Sequence, residues 1–284
     1  TLADQMIHRG PDDEGFVVKK SFGIGMRRLS IIDLSGGHQP ISNIENTIHL
    51  VANGEIYNYK EIRISLEKLG YKFKTNSDVE VILHLYQEYG HEGIHLLNGM
   101  FAFAIFDEKI NQLWVARDRL GIKPLYYSSK ESSFCFSSEL TGLAKYLDAQ
   151  ISKDSILEYL GYSYIPAPKT IFEGISKLNP GEEMIVSNGE IKKNIYWKNN
   201  ITPSYEGDSS DAVRDLDKLL KESVELQLIS DVPLGVFLSG GVDSSAIASY
   251  AAEVNPKIPL ETFTIDFSGK KGEDLNFATE VRKQ

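Results

Sequence analysis

Apolar and polar positions recur along this chain in two different ways, and the change falls near residue 200. Phe22–Ile32, Ile48–Ala52, Phe101–Phe106, Gln112–Arg117 and Ser133–Phe136 carry the alternating or continuous apolar content of strands. Between them Lys60–Leu69 and Asp78–Tyr89 predict helices, each followed by a glycine at the C-cap, Gly70 and Gly90. In the second helix Val79, Ile82, Leu83 and Tyr86 fall on one face, a core stripe rather than a site. Leu2, Met6 and Ile7 have helical spacing at the start, stopped by Gly10-Pro11, and His8 to Gly15 reads as a tight turn. Further helices are expected at Glu139–Leu147 and Asp154–Leu160, and Asn188-Gly189 marks a hairpin between Glu183–Val186 and Ile191–Tyr196.

After Trp197 the pattern changes. Residues 197–210 are polar, with Asn, Pro, Gly and Ser, as in a linker. From Asp211 a long amphipathic helix places Val213, Leu216, Leu220 and Val224 on one face. An apolar run, Val232–Leu238, then a loop, a helix resuming at Ala246, a strand at Leu260–Phe267 and a helix from Asp274 follow. Strand and helix in alternation imply a parallel sheet covered by helices, whereas residues 1–196 read as a separate α+β domain. The chain starts without methionine inside one helical pattern and stops inside another, which predicts a fragment.

Composition narrows the classes. A net charge of −10 leaves no basic face for nucleic acid. No stretch reaches the ~20 apolar residues of a membrane span, and the first residues do not form a signal peptide. A single cysteine, Cys135, alternates within a strand and reads as a packed side chain; it cannot form an internal disulfide, so a cytoplasmic setting is expected.

The candidate chemistry lies in the loop Ser239-Gly-Gly-Val-Asp-Ser-Ser245, which joins a buried strand to a helix start. Free backbone N–H groups, the helix dipole and small hydroxyls converge there, as a phosphate requires. Two glycines and capping serines alone would be an ordinary corner. The absence of a lysine excludes the Walker loop, and Gly23 and Gly25 lack the third glycine and helix of a dinucleotide fingerprint. The seven-residue order resembles the pyrophosphate loop of ATP pyrophosphatases. The charges of Arg117 to Tyr127 read either as a solvated loop or as part of a motif.

Taken in order, His8-Arg-Gly-Pro-Asp12, Arg28-Leu-Ser-Ile-Ile-Asp33, Asn53-Gly-Glu-Ile-Tyr-Asn58, Ser77-Asp-Val-Glu80, Gly99-Met-Phe-Ala-Phe-Ala104, Arg117-Asp-Arg-Leu-Gly-Ile-Lys-Pro-Leu-Tyr126, Phe136-Ser-Ser-Glu139 and the Ser239–Ser245 loop resemble the glutamine-hydrolysing asparagine synthetases. The resemblance implies an α+β N-terminal-nucleophile hydrolase, an αββα sandwich, over residues 1–196. The start of an α/β parallel-sheet ATP-pyrophosphatase domain is implied over 211–284. It implies that Arg28 grips the α-carboxylate of glutamine, that Asp78 receives the α-amino group beside Glu55, and that Ile31 lines the pocket. Asn53 and Gly54 would form the oxyanion hole, where losing one donor typically costs ~3 kcal/mol of barrier. For ATP the resemblance implies Ser239, Gly240, Gly241, Ser244 and Ser245 on the phosphates, Asp243 on Mg²⁺, and Phe237 and Ile265 near the adenosine; for those two side chains plain core is the competing reading.

One departure stands out. The family's nucleophile is an N-terminal cysteine on its own strand; Thr1 opens a helical pattern and Cys135 is internal, so these residues are expected not to hydrolyse glutamine by themselves. The parent activity implied is ATP-dependent asparagine synthesis from aspartate, with glutamine-derived ammonia passed internally to an aspartyl-adenylate and AMP and pyrophosphate released. Glutamine, aspartate and ATP are the implied partners, and a homodimer is compatible with it. Three rivals stay open: a related amidotransferase acting on another carboxylate in cell-surface or secondary-metabolite biosynthesis, a phosphosugar-making amidotransferase, and a non-catalytic nucleotide-binding module.

Overall fold

The computed structural model describes residues 1–130, 133–202, 205–254, 256, 259–265 and 278–281, in two compact units, 1–200 and 201–284. In the first, β1 (Asp13–Val18) pairs antiparallel with β2 (Gly23–Arg28). β3 (Ile41–Ser42) and β4 (Ile48–Ile56) lead into α1 (Tyr59–Lys68) and α2 (Glu80–Tyr89); β5 (Gly99–Asp107) and β6 (Gln112–Arg117) follow. Then come β7 (Tyr126–Lys130), β8 (Ser133–Ser137), α3 (Leu140–Tyr146), α4 (Lys153–Tyr162), β9 (Ser176–Lys177) and the hairpin β10 (Glu182–Ser187) and β11 (Glu190–Ile195). Among the described residues the main sheet runs β11-β10-β6-β5-β4-β3, antiparallel throughout, and a smaller one runs β8-β7-β9.

The period-2 alternation of side chains explains the layering. Leu50, Ala52, Phe101, Phe103, Ile105, Trp114 and Ala116 point to one face of the main sheet, where Ile62 and Leu66 of α1 and the Val79, Ile82, Leu83 and Tyr86 stripe cover them. The residues between, Val51, Ala102, Ala104, Val115 and Met184, face Ile24 of β2, Tyr127 of β7 and Phe134 and Phe136 of β8. On the far side of the smaller sheet, Tyr126 and Cys135 pack with Leu143 and Ala144 of α3. The layers are therefore helix, sheet, sheet, helix. Each fully buried Leu, Ile or Phe contributes ~1.5–3 kcal/mol, and the helix-covered face holds nearly all of the large ones, while the inter-sheet face of the main sheet carries Ala, Val and Met184.

Several expectations need correction. The opening helix is a single 3-10 turn, Ala3–Met6, and Asp13–Gly15 belong to β1 rather than to a turn. The strand from Phe22 ends at Arg28, because the Arg28 side chain binds the carbonyls of Ile32 and Asp33 and folds the chain back. Of the two readings of the Arg117–Tyr127 run, a solvated loop does not hold at its start, where Arg117 and Asp118 are buried.

In the second unit α5 (Ser209–Gln227) starts at Asp208, whose carboxylate accepts from the Ser210 and Asp211 amides at 2.8 and 2.9 Å. Its stripe of Val213, Leu216 and Leu220 is exposed rather than core among the described residues. β12 (Gly235–Phe237), α6 (Val242–Val254) and β13 (Glu261–Phe263) form a strand–helix–strand unit with parallel pairing around a small core of Leu238, Ala248 and Ala278. The strand expected over Leu260–Phe267 is thus shorter, with 266 and 267 outside the described residues. So are 274–277 of the helix expected from Asp274; 278–281 are helical.

Candidate active site

Small side chains on the inner face of the main sheet leave a cavity of about 750 Å³ between the two sheets. Val51, Ala102 and Ala104 line one wall, and residues of β2 and β8 line the other. Arg28, Ile31, Asn53, Gly54, Glu55 and Asp78, far apart in sequence, all border this one cavity.

Each is placed by a local device. Arg28 Nη2 donates to the Ile32 and Asp33 carbonyls at 2.7 and 2.9 Å, which leaves Nε and Nη1 without a partner among the described residues. Gly37 permits this packing, since a Cβ there would lie 2.2 Å from Arg28 Nη2. Asp33 anchors the same loop by accepting from the Gly36 and Asn76 amides at 3.1 and 2.8 Å. Asn76 in turn precedes Ser77-Asp78, so the two ends of the pocket are tied together. Asp78 Oδ2 accepts from the Ile56 amide at 2.7 Å, holding the carboxylate between the end of β4 and the start of α2. Burial pushes its pKa up to about 6, with the negative charge of Glu55 adding to the rise and the Ile56 N–H opposing it. Burial also raises Glu55, and the positive charge of Lys123 opposes that rise.

Gly54 has φ +155°, and a Cβ there would lie 2.0 Å from the Met100 carbonyl oxygen, so β4 and β5 can meet at this point only with glycine. The half-buried Asn53 side chain makes no hydrogen bond among the described residues. Cys135 borders the cavity as well, but it packs with α3 residues and burial raises its thiol pKa, the opposite of an activated nucleophile.

Three residues were not assigned roles from sequence. Gln39 bonds both backbone groups of Ala52, at 3.1 and 2.7 Å, and so continues the pairing of β4 where β3 has not yet begun. Asp118 accepts from the amides of Phe101, Leu120, Ile122 and Lys123 at 3.3, 3.1, 2.9 and 2.9 Å. Arg117 donates to the carbonyls of Lys123 (2.7 Å), Leu178 (2.6 Å) and Gly121. The pair turns the β6–β7 loop into a fixed wall of the cavity. The signal was present in the Arg-Asp-Arg-Leu-Gly-Ile-Lys-Pro run, but a charged loop has no periodicity from which burial could be read.

In the second unit the chain leaves β12 at Leu238 and passes through Gly240, at φ +82°, into α6. Ser244 Oγ accepts from the Ser239 amide at 3.3 Å, lies 3.0 Å from Ser239 Oγ and 3.2 Å from the Gly241 carbonyl. Ser245 Oγ is buried without a partner, an open donor and acceptor inside the loop. Asp243 stands exposed in the first turn of α6. Phe237 and Ile265 are 75% and 67% exposed, so neither side chain is core among the described residues. No group of three His, Cys, Asp or Glu clusters as a metal site among the described residues. A Mg²⁺ here would have to be held by Asp243 together with phosphate oxygens, a common arrangement for this ion.

Residues 1–197 match the family model described as a glutamine amidotransferase domain. The chain belongs to this amidotransferase family. Residues 215–284 match the asparagine synthase family. Two Bacillus subtilis (strain 168) relatives of the amidotransferase chain are "Asparagine synthetase [glutamine-hydrolyzing] 1", 39% identical over 99% of it, and "Asparagine synthetase [glutamine-hydrolyzing] 3", 38% identical over 94%. The chain spans 44% of the length of each. Among solved structures, a glutamine phosphoribosylpyrophosphate amidotransferase from B. subtilis is 21% identical, with 89% of this chain and 55% of that chain covered and a TM-score of 0.44. No helix among the described residues is long and apolar enough to cross a membrane.

Proposed function

We propose that the whole protein is a glutamine-hydrolysing asparagine synthase, with its glutaminase site in residues 1–196 and the start of its ATP site in residues 211–284. The observation that carries the reading is the single cavity bordered by Arg28, Ile31, Asn53, Gly54, Glu55 and Asp78. Free glutamine carries a carboxylate, an ammonium and an amide. Arg28 would meet the first with its unspent N–H groups, Asp78 and Glu55 would meet the second, and Asn53 with the Gly54 amide would supply the donors an amide oxyanion needs. The nucleophile is not Cys135; the reading requires one that these 284 residues do not supply. The relatives' names, which pair glutamine hydrolysis with asparagine synthesis, support the coupling to a second reaction.

In that second reaction ATP would adenylate the aspartate β-carboxylate, ammonia would displace AMP, and pyrophosphate would leave. A carboxylate is a poor acyl donor until it bears such a leaving group. Ser239, Gly240, Gly241, Ser244 and Ser245 would hold the phosphates, with Phe237 and Ile265 beside the adenosine. A bound Mg²⁺ would neutralise phosphate charge, with Asp243 as its protein ligand.

The test is carried out on the full-length protein, supplied with ATP, Mg²⁺, aspartate and either glutamine or ammonia. Asparagine and AMP are expected from both nitrogen sources. Arg28→Ala should lower glutamine-driven synthesis at least ~10-fold while sparing the ammonia-driven reaction, since one hydrogen bond to a charged group is worth about 1.5–3 kcal/mol. Equal loss of both would overturn the glutamine pocket, and AMP release with another carboxylate but not aspartate would overturn the acceptor.

A further inference from the structure

Four basic side chains border the cavity, and they are not equivalent. Arg9 is paired with Glu139 at 2.6 Å, and Arg27 with Asp4 and Glu14. Arg28 has given Nη2 to two carbonyls. Lys123 is different: its Nζ makes no hydrogen bond and no ion pair among the described residues. Yet its backbone is among the most firmly held in the wall. Its amide donates to Asp118 at 2.9 Å, its carbonyl accepts from Arg117 Nε at 2.7 Å, and Pro124 follows with its fixed φ. Arg117 and Asp118 are themselves 7% and 1% exposed.

We propose that Lys123 is a positioning residue of this amino-acid site, clamped by Arg117 and Asp118 so that its unpaired ammonium matches the second charge of the Glu55 and Asp78 pair that borders the same cavity.

The inference rests on the cavity being the glutamine site. Its charge count supports it. With Arg9 and Arg27 matched by their own partners, the groups left are Arg28 and Lys123 against Glu55 and Asp78, the only acids that border the cavity among the described residues. A zwitterion adds no net charge to that set. Without Lys123, two carboxylates would share a poorly hydrated space with one guanidinium already engaged by carbonyls. Such a pair retains a proton, which an incoming ammonium would have to displace. The titratable groups coupled to Glu55 are Lys123 from the β6–β7 loop, Asp78 ahead of α2 and Tyr57 just beyond β4. Of these, Lys123 opposes the effect of burial on the Glu55 carboxyl.

The test needs no catalysis. Carboxyl-detected NMR titration of Glu55 and Asp78 in the 284-residue chain is compared with Lys123→Gln and Lys123→Arg. Lys123→Gln should move the Glu55 midpoint up, and Lys123→Arg should leave it near the wild-type value. If Lys123→Gln does not fold, Lys123→Met, which keeps most of the apolar stem and removes the charge, serves in its place and should move the Glu55 midpoint in the same direction. An unmoved midpoint in either experiment overturns the role of Lys123. On the same wild-type sample, glutamine that shifts no cavity resonance would overturn the glutamine assignment and leave the carboxylate titration untouched.

Discussion

Asp78 is 4% exposed, with one carboxylate oxygen on the Ile56 amide and no cation in ion-pair contact among the described residues. Folding therefore strips it of water without full compensation, and its pKa stands at about 6 against an ordinary 3.8. A carboxyl raised in the folded state binds its proton more tightly there, so it stabilises the fold at pH below about 4. That contribution, on the order of 3 kcal/mol, is lost as pH rises through 6. Asp78→Asn should flatten this slope, measured as urea midpoints at pH 4.5 and pH 7, and a slope unchanged by the substitution would contradict the burial argument. Above pH 6 the ionised Asp78 should also favour an ammonium ligand. At Gly54 the prediction is steric: Gly54→Ala must push the Met100 carbonyl of β5 away from β4 and should cost more than ~2 kcal/mol by chemical denaturation. The six cavity residues were legible as ordered motifs. The burial of Asp118 was not, because an acid in a charged loop gives no hint that four amides converge on it.

Among the elements, the β6–β7 loop behaves as part of the sheet. Asp118→Ala would leave the amides of Phe101, Leu120, Ile122 and Lys123 without their acceptor, and a loss of ~3 kcal/mol or more is expected, given 1–3 kcal/mol for each buried unsatisfied group. Asp118→Asn, which keeps one acceptor oxygen, should lose less. In α5 the expectation reverses. Val213, Leu216 and Leu220 are exposed, so Val213→Ser with Leu216→Ser should shift the stability of this chain by less than about 1 kcal/mol. A larger loss would show that residues outside the described set cover the stripe. Periodicity identified α5 correctly as an amphipathic helix, but what covers the apolar face depends on other segments. Conversely, the hairpin at Asn188-Gly189 is a local turn preference and appears with its strands as expected. The β1 strand was missed because His8 to Gly15 is dominated by turn-forming residues, and only pairing with β2 makes Asp13–Gly15 extended.

At the scale of the whole chain, the two units have very different cores. The first buries two extended clusters on either side of its main sheet, whereas Leu238, Ala248, Ala251 and Ala278 are the buried apolar residues of the second among the described residues. Urea unfolding of this chain should therefore not be two-state. Helical circular dichroism, to which α5 and α6 contribute, should begin to fall at lower urea than the fluorescence of Trp114, which is buried in the first unit. Coincident curves would contradict this. The fold class followed from periodicity and motif order. The cavity did not, since it arises from small residues at alternate positions of strands, a pattern that in sequence looks only like weak alternation. That choice of Val51, Ala102 and Ala104 has a consequence for anyone who improves this protein by selection for heat resistance. Replacing Ala102 or Ala104 by a larger apolar residue would add contacts where there are few, and such variants would survive heating well. They would do so by closing the cavity proposed as the glutamine site, so a screen that rewards survival alone would enrich chains that have lost that space.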